Sequence, residues 1–427
     1  MKYTKYEMGP YNLHVIKTDK FKTITVKVNF KRKLVKEEIT YRNLLNDLLV
    51  ESSKKYPTRR LLEIQTEELY DLRVSGRSHI SGNYSIISFG SNFLHEEHTE
   101  KGMIDKSISF LCDLIFDPKI ENNQFDKESF EVAKNALRDE IESYKDNPKN
   151  YSLVKMLEAM DEKSSISYQP CGYLKDLEQI DEKKLYDYYE TVMRSDLLDI
   201  FIIGNVDNDF IKKIITERVK VNTLKKPGIS HFIEHDKFRK NPKIAKEIKD
   251  INQSRLVLGC KLDNLDEFER KYVSIIYSFI LGGGPDSKLF KAVREKNSLC
   301  YSISSGVRVV SNILIVDAGI DKKAYDKAVK LIKKELKDIE KGMLDDSDID
   351  KAKATYYNSC KEILDSPGDI INTYVSHEYL KTDLLENRME QINLITKDMI
   401  VKFAKKIHLD TIFLLEGGSL DDKNTSN

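Results

Sequence analysis

The stretch from Leu281 to Ser304, LGGGPDSKLFKAVREKNSLCYSIS, reads as a turn, a helix and a strand in succession. Gly282 to Gly284 with Pro285 form a glycine-rich turn. LFKAVREK follows with Leu289, Phe290 and Val293 on a helix, and a strand starts after LCY. Arg294 at the helix end and Tyr301 at the strand start are then seven residues apart. The glycine run invites a phosphate-cradle reading, but no Gly-Lys-Ser/Thr follows and a P-loop is excluded. By spacing alone, Arg294 would pair with a Glu of its own helix and Tyr301 would be half-buried strand filler.

Working outward, the chain repeats itself once. SFEVAKNALRDEIESYKDNPKNY, Ser129 to Tyr151, resembles DIDKAKATYYNSCKEILDSPGDI, Asp348 to Ile370. In both, Ala-Lys precedes a proline by the same interval: Ala133-Lys134 before Pro148 and Ala352-Lys353 before Pro367, a constant offset of 219 residues. Further matches place the apolar strands Asp199 to Gly204 and Thr411 to Gly417 at the ends of the two halves. A single doubling of this length means two related domains, whereas a solenoid repeats every 20 to 50 residues or so. Each half opens with alternating strands, Ile24, Val26, Val28 and Phe30 in the first and Leu256 and Leu258 in the second. Amphipathic helices follow, such as the one carrying Tyr325, Ala328, Val329, Ile332, Leu336 and Ile339 before a stop at Gly342. Grouped strands and helices predict an α+β fold of two homologous domains, each with helices packed on a mainly antiparallel sheet. The expected boundaries are residues 1–218 and 247–420, with a Pro-Gly-containing linker at 219–246 and a disordered tail at 421–427.

With 427 residues, the chain is long enough for two cores. Its 70 basic and 70 acidic residues cancel, which gives no electrostatic reason to expect nucleic acid or an anionic membrane as partner. The opening MKYTKYEMGPYNLHVIK is mixed and polar, and no run approaches the roughly 20 apolar residues of a membrane span, so a cytoplasmic location is expected. Five scattered cysteines without a CxxC pair favour buried free thiols.

The GGG turn, the LFKAVREK helix and the strand after LCY resemble the second-domain signature of the insulinase and pitrilysin zinc peptidases, in the branch of the processing peptidases. The resemblance extends from Tyr11-Asn-Leu-His14 through PCGYLKDLEQID at Pro170 to the strand at Thr411. It implies that Arg294 and Tyr301 help to hold substrate. It also implies dimerisation into a four-domain chamber. Active members carry His-x-x-Glu-His on the first helix, where two histidines bind zinc and the glutamate activates water. The matching segment here runs from Asn43 to Pro57, with Asn43, Asn46 and Asp47 in the three chemical positions and Glu140 aligned with the third ligand. Amides are poor zinc ligands and Asn46 cannot serve as a general base.

His231-Phe-Ile-Glu234-His235 spells the motif letter for letter, but between Pro227-Gly228 and Asn241-Pro242. Two linker histidines are the preferred reading, with a zinc site on His231, Glu234 and His235 as the alternative; His95-Glu-Glu-His98 has the wrong order. The resemblance implies a non-catalytic, peptide-binding subunit without a cofactor of its own. The zinc is then expected on a homologous partner chain, with a homodimer possible when the chain is isolated. A structural or assembly protein on the same fold is the third reading.

Overall fold

The structure is a computed structural model that describes residues 1–221 and 228–418. The expected tail at 421–427 and the middle of the expected linker lie outside the described residues. Two compact units divide the chain. Unit 1 comprises residues 1–143, 169–230 and 366–372, and unit 2 comprises 144–168, 231–365 and the chain from 373 onward.

Unit 1 is built on a six-stranded sheet. Its strands are β1 (Lys2–Glu7), β2 (Asn12–Lys17), β3 (Thr23–Lys33), β4 (Arg73–Ser81), β5 (Tyr84–Leu94) and β6 (Leu197–Gly204), in the spatial order β1-β2-β6-β3-β5-β4. Only β2 and β6 run parallel. Unit 2 has five strands, β7 (Lys243–Lys249), β8 (Ser254–Leu262), β9 (Cys300–Arg308), β10 (Ile313–Ile320) and β11 (Ile407–Gly417), in the order β9-β10-β8-β11-β7. The parallel pair of this sheet, β11 with β7, joins the unit's last strand to its first, where unit 1 joins its last strand to its second. The order β6-β3-β5-β4 is thus repeated as β11-β8-β10-β9. β7 begins at Lys243, inside the stretch expected to be linker.

The helical repeat has the same offset. Helix α1 spans Ile39–Leu49, α2 Lys127–Asp146, α3 Pro148–Asp161, α4 Asp346–Ile363 and α5 Pro367–Leu380. α2 and α4 start 346 − 127 = 219 residues apart, as do α3 and α5 at 367 − 148 = 219. Ala133 and Ala352 are buried on the equivalent helices α2 and α4. Pro148 starts α3 because a proline at the first helical position sacrifices no internal hydrogen bond. The Asn147 side chain accepts from the free amides of Lys149 and Asn150.

A reading contiguous in sequence would leave α3 in the first half, but its residues fold in unit 2. The reason is apolar alternation. On β8, Leu256, Leu258 and Cys260 face the main core of unit 2. Val257 faces the other way and joins Ile313, Ile315, Phe413 and Leu415 in a second apolar face, which Met156, Leu157 and Met160 of α3 cover. Gly259 lies beneath the two methionines, and any Cβ there would collide with both. In unit 1 the core-facing residues Ile24, Val26, Val28 and Phe30 are also buried, while Thr25 and Lys27 point to the opposite face. No helix of the described residues is long and apolar enough to cross a membrane.

Candidate functional site

Asn43, Asn46 and Asp47 lie on α1, which the sequence makes amphipathic through Leu44, Leu45, Leu48 and Leu49, all buried. The Asn43 amide donates 2.9 Å hydrogen bonds to the carbonyls of Ile39 and Pro170. The Asn46 amide donates to Asp47 Oδ1 at 2.9 Å. Gly76 of β4 is required opposite it, since a Cβ there would sit 2.6 Å from Asn46 Oδ1. Glu140, exposed on α2, is close enough for its charge to act on Asp47. The fold therefore gathers the aligned positions, but as two carboxylates and two amides, with no imidazole or thiolate. This donor set does not fit zinc. The two amides are engaged with protein groups, and among the described residues no cluster of three or more His, Cys, Asp or Glu could hold a metal.

Burial pushes the Asp47 carboxyl up to about 7, with the Asn46 amide opposing and the charges of Glu140 and Glu51 adding to the push. Because this value lies above the ordinary 3.8, the native state keeps a proton that the unfolded chain releases. Stability therefore falls as the pH rises from about 4 to about 7. Asp47→Asn keeps the acceptor for Asn46 and removes the ionisation. The variant is expected to match the wild type at pH 4 and exceed it by about 1–3 kcal/mol at pH 8, a figure discounted for partial exposure. Urea midpoints at the two pH values measure the difference, and parallel pH profiles would refute it.

His231, Glu234 and His235, the alternative zinc ligands, lie in a segment that is not helical. A helical turn is what stacks residues four apart one above the other, and this segment has none. Each is engaged elsewhere: His231 is buried and stacks near Tyr379, with ring centroids 6.5 Å apart. Glu234 accepts from Arg270 at 2.8 Å and from the Asn312 amide at 2.9 Å. His235 donates from Nε2 to the Ser311 carbonyl at 2.9 Å, and burial lowers its basicity.

Arg294 and Tyr301 occupy different surroundings from those spacing alone suggests. Val293 anchors the helix Phe290–Glu295 in the core, leaving Arg294 exposed with its guanidinium 4.8 Å from the Phe290 ring centroid. No ion pair with a glutamate holds it among the described residues. Cys300 of β9 pairs with Ile320 and Ser302 with Gly319, so Tyr301 is the extra residue of a β-bulge. Bulges re-aim side chains, and Tyr301 is 75% exposed between a buried Cys300 and a buried Ile303. Arg294 lies close enough to Cys300 to oppose the upward push that burial gives that thiol. A cationic fork and a phenol are thus presented to solvent by adjoining elements, and both can donate to a carbonyl or oxyanion.

Two features carried no motif. Among the described residues, β4 pairs in the sheet only with β5 and leaves its other edge open. Lys27, Arg77 and His79 line a cavity of about 570 Å³ in unit 1. The period-two alternation of Arg73, Ser75, Arg77 and His79 was the available sequence signal for the second.

Residues 179–356 match the family model described as Peptidase M16 inactive domain. The chain is 26% identical over 417 residues, 97% of each sequence, to the Bacillus subtilis protein named "Probable inactive metalloprotease YmfF". It is 23% identical over 305 residues, 70% of this chain and 72% of the relative, to "Uncharacterized zinc protease YmxG" of the same organism. A crystal structure of a conserved protein from Enterococcus faecalis V583 matches with a TM-score of 0.90 at 27% identity, covering 98% of this chain and 99% of that one.

Proposed function

We infer, from a chain related to the insulinase-type M16 metallopeptidases and lacking their catalytic zinc, that it is the substrate-holding subunit of a two-chain zinc endopeptidase. The observation that carries this reading is the exposure of Tyr301 on its bulge. A large aromatic residue at 75% exposure gains nothing for folding, whereas a phenol facing solvent on the strand next to the helix of Arg294 can donate to a peptide bound against it. The open edge of β4, next to the former metal positions, supports the same reading. An extended peptide can add to such an edge through main-chain hydrogen bonds. The similarity to both an inactive and a zinc-protease relative in one organism fits a division of labour between homologous chains.

The test is co-expression with a homologous chain from the same genome that carries an intact His-x-x-Glu-His. The two are expected to copurify, and cleavage of an unfolded peptide should require both. A sister chain equally active alone would overturn the proposal. Stable homodimers that ignore the sister would instead favour a structural role.

A further inference from the structure

We propose that the cavity formed by the second sheet face of unit 1 and residues 368–372 binds an oxyanion, either a free phosphate or a carboxylate carried by a peptide. All its lining residues belong to unit 1. Its volume of about 570 Å³ falls within the range of ligand sites, roughly 300–1,000 Å³. The floor is made of small side chains, Ser75, Ser88 and Gly90, and the walls carry Lys27, Arg77 and His79, with no carboxylate in the lining. A side chain at Gly90 would press on Ser75 Oγ, 3.0 Å from a Cβ built there.

Neither Lys27 nor Arg77 has an ion pair among the described residues, and Asp369 offsets the Lys27 charge only from a distance. The Arg77 side chain has no hydrogen bond or ion pair among the described residues. The Lys27 ammonium donates to a neutral group, Asn372 Oδ1, at 2.7 Å. Burial, then the charge of Arg77, holds the Lys27 amine below its usual range, with Asp369 opposing. His79 is pushed down to about 4 by burial and by the charges of Lys27, Arg77 and Arg42. Like charges crowded into a partly dehydrated recess cost free energy, and an anion seated among them relieves that cost. The fold does not require this arrangement, because the corresponding face of the unit 2 sheet is apolar and closed by α3. The oxyanion site is independent of the proposed role in proteolysis.

Calorimetric titration of the full chain provides the test, with three probes: inorganic phosphate, a short peptide rich in Asp and Glu, and the same peptide with Asn and Gln. At least one anionic probe is expected to bind at one site per chain, and the amide peptide is not. Saturation by phosphate assigns the site to a small free anion. Binding of the acidic peptide alone assigns it to peptide carboxylates. Arg77→Ala and Lys27→Met should each weaken binding by about tenfold or more, the effect of losing one charge-assisted hydrogen bond, while Arg77→Lys keeps most of it. Both positions are at least partly exposed, so circular dichroism should remain that of the wild type. The His79 imidazole signal should also titrate at higher pH once the anion is present. Absence of saturation by either anion up to millimolar concentration, or affinities indifferent to Arg77 and Lys27, would overturn the assignment.

Discussion

In the reconstituted pair, Arg294→Ala and Tyr301→Phe are each expected to lower peptide turnover by about 10² to 10³, the cost of removing one donor from a developing oxyanion. The complex should stay assembled. Both side chains are exposed and neither pairs with the core, so the substitutions should change stability by no more than about 0.5 kcal/mol. That separation distinguishes a role in holding substrate from a role in folding. Turnover is measured at saturating and limiting peptide, with complex formation followed by size-exclusion chromatography. If both variants cleave as the wild type does, or if the complex dissociates, the pair returns to a structural role.

The largest stability effect is expected at Arg42, next to Asn43 on α1. Its side chain is fully buried and bonds to Asp196 Oδ2 at 2.8 Å and to the carbonyls of Phe30 at 2.7 Å and Ser85 at 3.3 Å. Asp196 is equally buried, with Arg32 Nη1 3.6 Å from its other oxygen. Arg42→Ala should destabilise unit 1 by about 3–5 kcal/mol, because it strands a buried carboxylate. Replacing both partners together, Arg42→Met with Asp196→Leu, should recover most of the loss, since paired apolar substitutes carry no uncompensated charge. Urea unfolding of the two variants beside the wild type decides the matter. An Arg42→Ala variant within 1 kcal/mol or so of wild type would mean that water or Arg32 rescues Asp196.

Much of the architecture was legible because it is local. Pro148 and Pro367 end one helix and begin the next wherever they occur, so an offset of 219 read from the letters returned as an offset of 219 between helix starts. The alternation of Ile24, Val26, Val28 and Phe30 placed a buried sheet face correctly. The identities of Asn43, Asn46 and Asp47 already gave α1 two amides and a carboxylate in place of two imidazoles and a glutamate. What could not be read was set by tertiary partners. Nothing in α3 itself says that its methionines belong over Gly259 rather than on the nearer sheet. Tyr301 looks like ordinary strand until the register of β9 against β10 reveals the bulge. The five letters at His231 suggest a helix that the segment's hydrogen bonds to Val310, Ser311 and Asn312 replace. Lys27 and Arg77, fifty residues apart in sequence, share a cavity because β5 lies between their strands.

The allegiance of α3 to unit 2 also sets a timetable for synthesis. The ribosome delivers Met160 about 250 residues before Phe413, the partner on the last strand that it must cover. At translation rates of about 5–20 residues per second, that interval lasts roughly ten to fifty seconds. For that time a nascent helix carries three apolar side chains with no completed sheet to receive them. Closing that apolar face therefore waits on the last strand, β11.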